Sequence, residues 1–205
     1  MFDRIVLASG NQGKLTELQA LFGILKCQLV SQKSLGISEP DEPYFSFVEN
    51  ALHKARHASA ASGLPALADD SGICVNALGG VPGVMSARFS GLSASASVSK
   101  QDIDTANNET LIRALQNQTD RSAFYYCVLV LVRSAKDPAP LIADGYWSGT
   151  VLTEARGAGG FGYDPFFYLP LLGKSAAELS VVEKNISSHR AIASHVLLEK
   201  LRALV

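Results

Sequence analysis

The run Cys127-Val128-Leu129-Val130-Leu131-Val132, closed by Arg133, constrains the fold more than any other stretch of the chain. Together with Phe124, Tyr125 and Tyr126 it predicts a long strand over 124–132 that is nearly continuous in its apolar character. A strand without alternation is covered on both faces, so this chain needs a layered fold with helices packed over a sheet. The run is far too short to cross a bilayer, which takes about 20 residues. It therefore belongs inside a soluble core.

The remaining segments supply the layers. Residues 5–8 form a short apolar strand, and Ser9-Gly10-Asn11-Gln12-Gly13 is a turn. A helix follows over 14–23, with Leu15, Leu18, Leu21, Phe22 and Leu25 on one face. After an acidic stretch punctuated by Pro40 and Pro43, Ser46-Phe47-Val48-Glu49 has the capping-box pattern and opens a helix to about residue 61. Phe47, Val48, Ala51, Leu52, Ala55 and Ala58 form its apolar face, and Asn50, Lys54 and His57 share another. Residues 66–68 read as a buried strand ending in Asp69-Asp70-Ser71-Gly72, and 73–78 as its successor. A helix spans about 102–116, two strands lie at 141–143 and 146–152 around Asp144-Gly145, and a helix over 189–204 closes the chain. The expectation is an α/β fold: a long mixed central sheet flanked by helices, one domain over 1–205 with two lobes and a cleft between them.

Composition narrows the function. Eighteen Lys and Arg against nineteen Asp and Glu leave a net charge of −1, with no basic excess to neutralise a nucleic-acid backbone. Three cysteines, Cys27, Cys74 and Cys127, lie far apart among apolar neighbours, which is neither a disulfide framework nor a zinc spacing and suits a reducing cytosol. The opening Met1-Phe2-Asp3-Arg4 lacks signal-peptide anatomy, so a cytoplasmic protein with no nucleic-acid or membrane partner is expected.

Four places carry chemistry. A strand leading through a glycine turn into a helix gathers free N–H groups and the positive dipole end, a setting for an anion. Lys14 stands there against the dipole, as a residue awaiting a phosphate does; taken alone it also fits a solvated surface lysine. The turn matches neither G-x-x-x-x-G-K-[ST] nor G-x-G-x-x-G. Next, Asp69-Asp70 follow a buried strand, where ligands gather in α/β sheets. Alternation aims only one of them at a given face. That carboxylate can hold Mg²⁺ or position a water, while the other caps the turn. Lys54, beside Asn50, can reach a phosphate, and His53 and His57 read as surface or supporting groups. Third, Phe161-Gly162-Tyr163-Asp164 lets two rings approach a flat ligand, or else packs into the core. Fourth, Lys184, His189 and Arg190 cluster at the entrance to the last helix as donors to a carbonyl or phosphate.

Ser9-Gly10-Asn11-x-x-Lys14-x-x-Glu17, Phe47-Val48-Glu49-Asn50-Ala51-x-x-Lys54-Ala55, Ala68-Asp69-Asp70-Ser71-Gly72, Pro82-Gly83-x-x-Ser86-Ala87-Arg88, Gly159-Gly160-Phe161-Gly162-Tyr163-Asp164-Pro165 and Ser188-His189-Arg190 occur in order along the chain. In these motifs the sequence resembles the inosine/xanthosine triphosphate pyrophosphatase family over essentially its whole length. The resemblance implies cleavage of a deaminated purine nucleoside triphosphate (ITP, dITP or XTP) between the α and β phosphates, with Mg²⁺ or Mn²⁺, by a homodimer. It implies that Asp70 is the catalytic and metal-associated carboxylate and that Glu42 is a second metal ligand. Lys54 would act on the phosphates, and Ser9, Gly10, Asn11, Gln12, Gly13 and Lys14 would bind them. Ser71 and Lys184 would touch the nucleotide, and Phe161, Gly162, Tyr163, Asp164, His189 and Arg190 would hold the base. Two other readings stay open: a sibling pyrophosphatase of pyrimidine or methylated nucleotides, whose arginine pair after the first turn is missing here, and a non-catalytic nucleotide sensor.

Overall fold

Seven strands form one mixed sheet in the order β2-β1-β3-β4-β5-β6-β7. The strands are β1 (Arg4–Leu7), β2 (Gln28–Ser31), β3 (Ala66–Val75), β4 (Ser122–Val132), β5 (Leu141–Val151), β6 (Phe167–Leu169) and β7 (Lys174–Ser175). β1 runs parallel to both β2 and β3, whereas β5/β6 and β6/β7 are antiparallel. Among the described residues the α-helices include α1 (Phe47–Ser62), α2 (Lys100–Ala114), α3 (Val181–Ser187) and α4 (His189–Arg202). This computed structural model describes residues 2–9, 15, 18–19, 27–93, 95 and 97–203. Of the helix expected over 14–23, Leu15, Leu18 and Gln19 are described and helical, and the rest lies outside the described residues.

The chain divides into two compact units. The first comprises Met1–Asp70, Cys127–Gly145 and His189–Val205. Its core joins Ile5 and Leu7 of β1, Leu67 of β3, Cys127, Leu129 and Leu131 of β4, and Leu197, Leu198 and Leu201 of α4. The second comprises Ser71–Tyr126 and Tyr146–Ser188. Its core joins Ile73 and Val75, Leu111 and Leu115, Tyr125, Trp147, Tyr163 and Phe167.

The long apolar strand behaves as two halves. Cys127 to Val132 are all buried, as a strand covered on both faces requires, but from Ser122 to Tyr126 burial alternates. There Ala123 and Tyr125 point inward, while Phe124 and Tyr126 each stack on Tyr146, at centroid separations of 5.4 and 4.4 Å. One side of that half is therefore left to solvent and aromatic pairing.

Two places expected to be turns are strand interior. Asp69-Asp70-Ser71-Gly72 lies within the continuous strand β3, and Asp144-Gly145 within β5. Both glycines make room for another backbone instead of bending the chain. A Cβ on Gly145 would lie 2.2 Å from the carbonyl oxygen of His189, and one on Gly72 would lie 2.4 Å from that of Gly83. Strand glycines often mark such close approach. Asp69 thus caps no turn.

Candidate active site

In the first unit the candidate residues stand on α1 and β3 and at the start of α4. Ser46 caps α1: its hydroxyl accepts from the Glu49 amide and donates to the Glu49 carboxylate. Asn50, one turn on, is fully buried. Its side chain accepts from the Tyr44 amide and donates to the Tyr44 carbonyl, both at 3.1 Å. This clasp fastens the acidic loop to the helix. His57 Nε2 lies 3.0 Å from the Ser38 carbonyl, and the His53 ring meets Tyr44 edge-on at 5.5 Å. Asn50, Lys54 and His57 do share a face, and that face holds the loop that carries Glu42.

Lys54 sits one turn beyond Asn50. Its ammonium donates to Glu42 Oε1 at 2.7 Å and to Asp70 Oδ1 at 3.0 Å. The lysine and Asp70 side chains are about nine-tenths buried, and Glu42 is 27% exposed. Burial pushes the Asp70 carboxyl above the ordinary carboxylate range; Lys54 pulls it back in part, and Glu42 pushes it up again. Burial disfavours the Lys54 charge, but Asp70, Asp69 and Glu42 together outweigh that and hold the ammonium protonated. Asp70 Oδ2 is buried with no hydrogen-bond partner among the described residues. The helical spacing of Lys54 suggests a reach to a phosphate and carries no sign of this bridge.

Strand alternation puts Asp69 on the opposite face. Its Oδ2 lies 3.7 Å from Nε of Arg190, both side chains being almost wholly buried. Arg190 and His189 open α4, and both are buried. Ser9 follows β1, and its carbonyl accepts from the Ser31 hydroxyl. Gly10, Asn11, Gln12, Gly13 and Lys14 lie outside the described residues.

The second unit holds Ser71, half-buried on β3, and the aromatic loop. The loop is tied at every residue. The Phe161 amide donates to Asp164 Oδ2 at 2.9 Å, and Lys184 Nζ donates to the same oxygen at 2.5 Å. Gly162, left-handed at φ 62°, donates to Asp104 Oδ2, and its carbonyl accepts from Asn108 Nδ2, both at 2.9 Å. The two rings part company. Phe161 is 42% exposed, with the ammonium groups of Lys100 and Lys184 at 5.1 and 5.6 Å from its centroid. Exposed cation–π contacts of this kind contribute about 0.5–1 kcal/mol. Tyr163 is 4% exposed, packs in the core and donates its hydroxyl to the Ser86 carbonyl at 2.8 Å. Burial, and then Asp104, raises its phenol well above the usual range.

Lys184 does not stand at the entrance to the last helix. Residues 181–187 form α3, capped by a reciprocal Ser180–Glu183 box, and Lys184 lies in its last turn, where a cation suits the dipole. Ser180-x-x-Glu183 was a legible cap signal. Asp104 and Asn108 are further residues of the loop's support that the motifs do not mark. Their signal was the Asn107-Asn108 pair inside a helix, a residue type that disfavours helix interiors unless its side chain is engaged elsewhere. Among the described residues no group of three or more His, Cys, Asp or Glu side chains gathers as a metal site, and no helix is long and apolar enough to cross a membrane.

The mixed sheet with helices packed over it defines an α/β protein, one unit carrying the Glu42–Lys54–Asp70 bridge and the other the tethered glycine-aromatic loop. Comparison with known proteins specifies the family. The chain matches the model described as the Ham1 family over residues 5–200, and it belongs to that family. It is 56% identical over 204 residues to a dITP/XTP pyrophosphatase of Chromobacterium violaceum, covering 100% of both chains. It is 58% identical to a dITP/XTP pyrophosphatase of Ralstonia nicotianae, covering 97% of this chain and 96% of that one. Among solved structures it resembles a HAM1 protein from Coxiella burnetii with a TM-score of 0.90 and 43% identity, over 99% of this chain and 100% of that one.

Proposed function

We propose that this chain hydrolyses deaminated purine nucleoside triphosphates (ITP, dITP and XTP) to the monophosphate and pyrophosphate. The activity for which its full-length relatives are named, dITP/XTP pyrophosphatase, supports the substrate class. The observation that carries the chemistry is Lys54 bridging Glu42 and Asp70 while the second, buried oxygen of Asp70 has no hydrogen-bond partner among the described residues.

That donor set fits Mg²⁺, a hard cation that takes one or two carboxylates and keeps its other positions for water and phosphate oxygens. Asp70 and Glu42 would hold it; Mn²⁺ shares the preference for oxygen. When bound, the ion offsets negative charge on the phosphates. Asp70, whose second oxygen has no hydrogen-bond partner among the described residues, takes the proton of the attacking water. Lys54 keeps that carboxylate ionised and adds positive charge where the leaving pyrophosphate develops its own. The reading gives the phosphate chain to Ser9 and residues 10–14, including Lys14. It gives the nucleotide to Ser71, Lys184, Phe161, Gly162, Tyr163, Asp164, His189 and Arg190. Hypoxanthine and xanthine present a carbonyl acceptor where adenine presents an amino donor, so His189 or Arg190 as donor meets the former and opposes the latter. The same reading takes residues 1–205 as one catalytic domain of a cytoplasmic homodimer.

The test is pyrophosphate release from ITP, GTP and ATP with and without Mg²⁺. Fast release from ITP alone, abolished by chelation, is expected. Equal rates on the three nucleotides, or orthophosphate as the product, would overturn the reading.

A further inference from the structure

We propose that Lys100, Asp104 and Asn108 are positioning residues for base selection, one stripe of α2 that sets the loop bearing Phe161. The proposal rests on the reading that this loop meets the purine. The three residues recur every fourth position, so they share one helix face. All three turn to the same two residues. Lys100 Nζ stands 5.1 Å from the Phe161 ring, Asp104 accepts the Gly162 amide, and Asn108 donates to the Gly162 carbonyl. The second hydrogen of the Asn108 amide goes to the Asp104 carbonyl at 2.8 Å, so the donor is fully committed.

Gly162 has a left-handed backbone, and both its peptide groups are satisfied by α2 side chains instead of by strand or helix partners. Such groups are costly to leave unpaired when shielded from water, so the loop follows the helix. Asp164 fixes the preceding amide from the other side. The exposed Phe161 ring, flanked by the Lys100 and Lys184 ammonium groups, thus projects from a backbone held at the Phe161 and Gly162 amides. α2 itself is anchored by Leu111 and Leu115 in the core of the second unit. The stripe lies apart from that apolar anchor. Its effect falls on where Phe161 stands, and a stacked base tolerates little displacement of its platform.

Two isosteric changes separate the roles. Asn108→Asp removes both donors and sets an acceptor against two carbonyl oxygens. Asp104→Asn keeps an oxygen that can accept from Gly162. For Asn108→Asp, and for Asp104→Ala, KM for ITP rises by about tenfold while kcat changes by less than about threefold, and the ITP-over-ATP ratio of kcat/KM falls with it. Amide exchange over residues 161–163 speeds up in the same variants. Asp104→Asn restores near wild-type values, and Glu109→Gln, on the same helix, changes neither reading. If Asn108→Asp does not fold, Lys100→Met, an exposed first-turn change, carries the test with a KM rise of about threefold. Faster exchange with unchanged KM and unchanged ITP-over-ATP ratio overturns the proposal and leaves the base reading intact. A wild-type ratio in Phe161→Ala overturns the base reading itself, and the proposal with it.

Discussion

Replacing Lys54 with methionine keeps the length of the side chain and removes the ammonium that bridges Glu42 and Asp70. The wild-type ammonium makes two short charged hydrogen bonds, at 2.7 and 3.0 Å. Deleting one partner of a buried ion pair costs about 3–5 kcal/mol, because a charge is left uncompensated. Asp70 is buried enough for that figure, but Glu42 is 27% exposed and water screens it in part, which places the total near the lower bound, about 3 kcal/mol. For a chain of this size that is a fall in Tm of about 6–12 °C. The loss depends on pH with a definite sign. Burial already holds Asp70 above its ordinary value, and Lys54 opposes this, so removing Lys54 raises Asp70 further. A carboxyl whose folded pKa exceeds its unfolded one stabilises the fold in its protonated form, and stability drains away as pH rises from the ordinary value through the raised one. The variant's deficit is thus largest above the raised Asp70 value and shrinks as pH falls below it. Thermal unfolding of the metal-free protein, followed by circular dichroism at several pH values, reads both effects. A loss under about 2 °C, or a deficit independent of pH, would refute the reasoning.

Three further outcomes follow from the geometry. Glu42→Gln removes one of the influences that raise Asp70, so the Asp70 carboxyl, titrated by NMR in the metal-free protein, moves to lower pH; no movement or a rise contradicts the assignment. Gly72→Ala drives a methyl to 2.4 Å from both the Gly83 carbonyl and Ser86 Oγ and lowers stability by about 1–3 kcal/mol in denaturant unfolding, whereas a neutral result means the contact yields freely. Arg190→Ala narrows the preference for ITP over ATP, and an unchanged ratio removes Arg190 from base reading.

Much of this arrangement is legible in the residues. Period-two alternation alone sends Asp69 and Asp70 to opposite faces, and the structure shows each beside its own cation, Arg190 and Lys54. The helical spacing of Asn50, Lys54 and His57 gathers one face, although spacing could not reveal that the face clasps the acidic loop, because that contact depends on where the loop returns. The strand glycines misled for a physical reason. Locally, Asp-Ser-Gly and Asp-Gly are turn chemistry, and only the tertiary approach of Gly83 and His189 shows that glycine is there for want of space. Tyr163 was ambiguous for a similar reason. An aromatic between glycines can serve a ligand or a core, and the Ser86 carbonyl that receives its hydroxyl lies far away in sequence.

The most direct test of the central claim is turnover of ITP by Asp70→Asn, measured as pyrophosphate release at saturating Mg²⁺ beside a binding isotherm for the same nucleotide. The account predicts that binding persists and that turnover falls by at least about a hundredfold, the scale of a lost general base. Turnover within a fewfold of the wild type would contradict it.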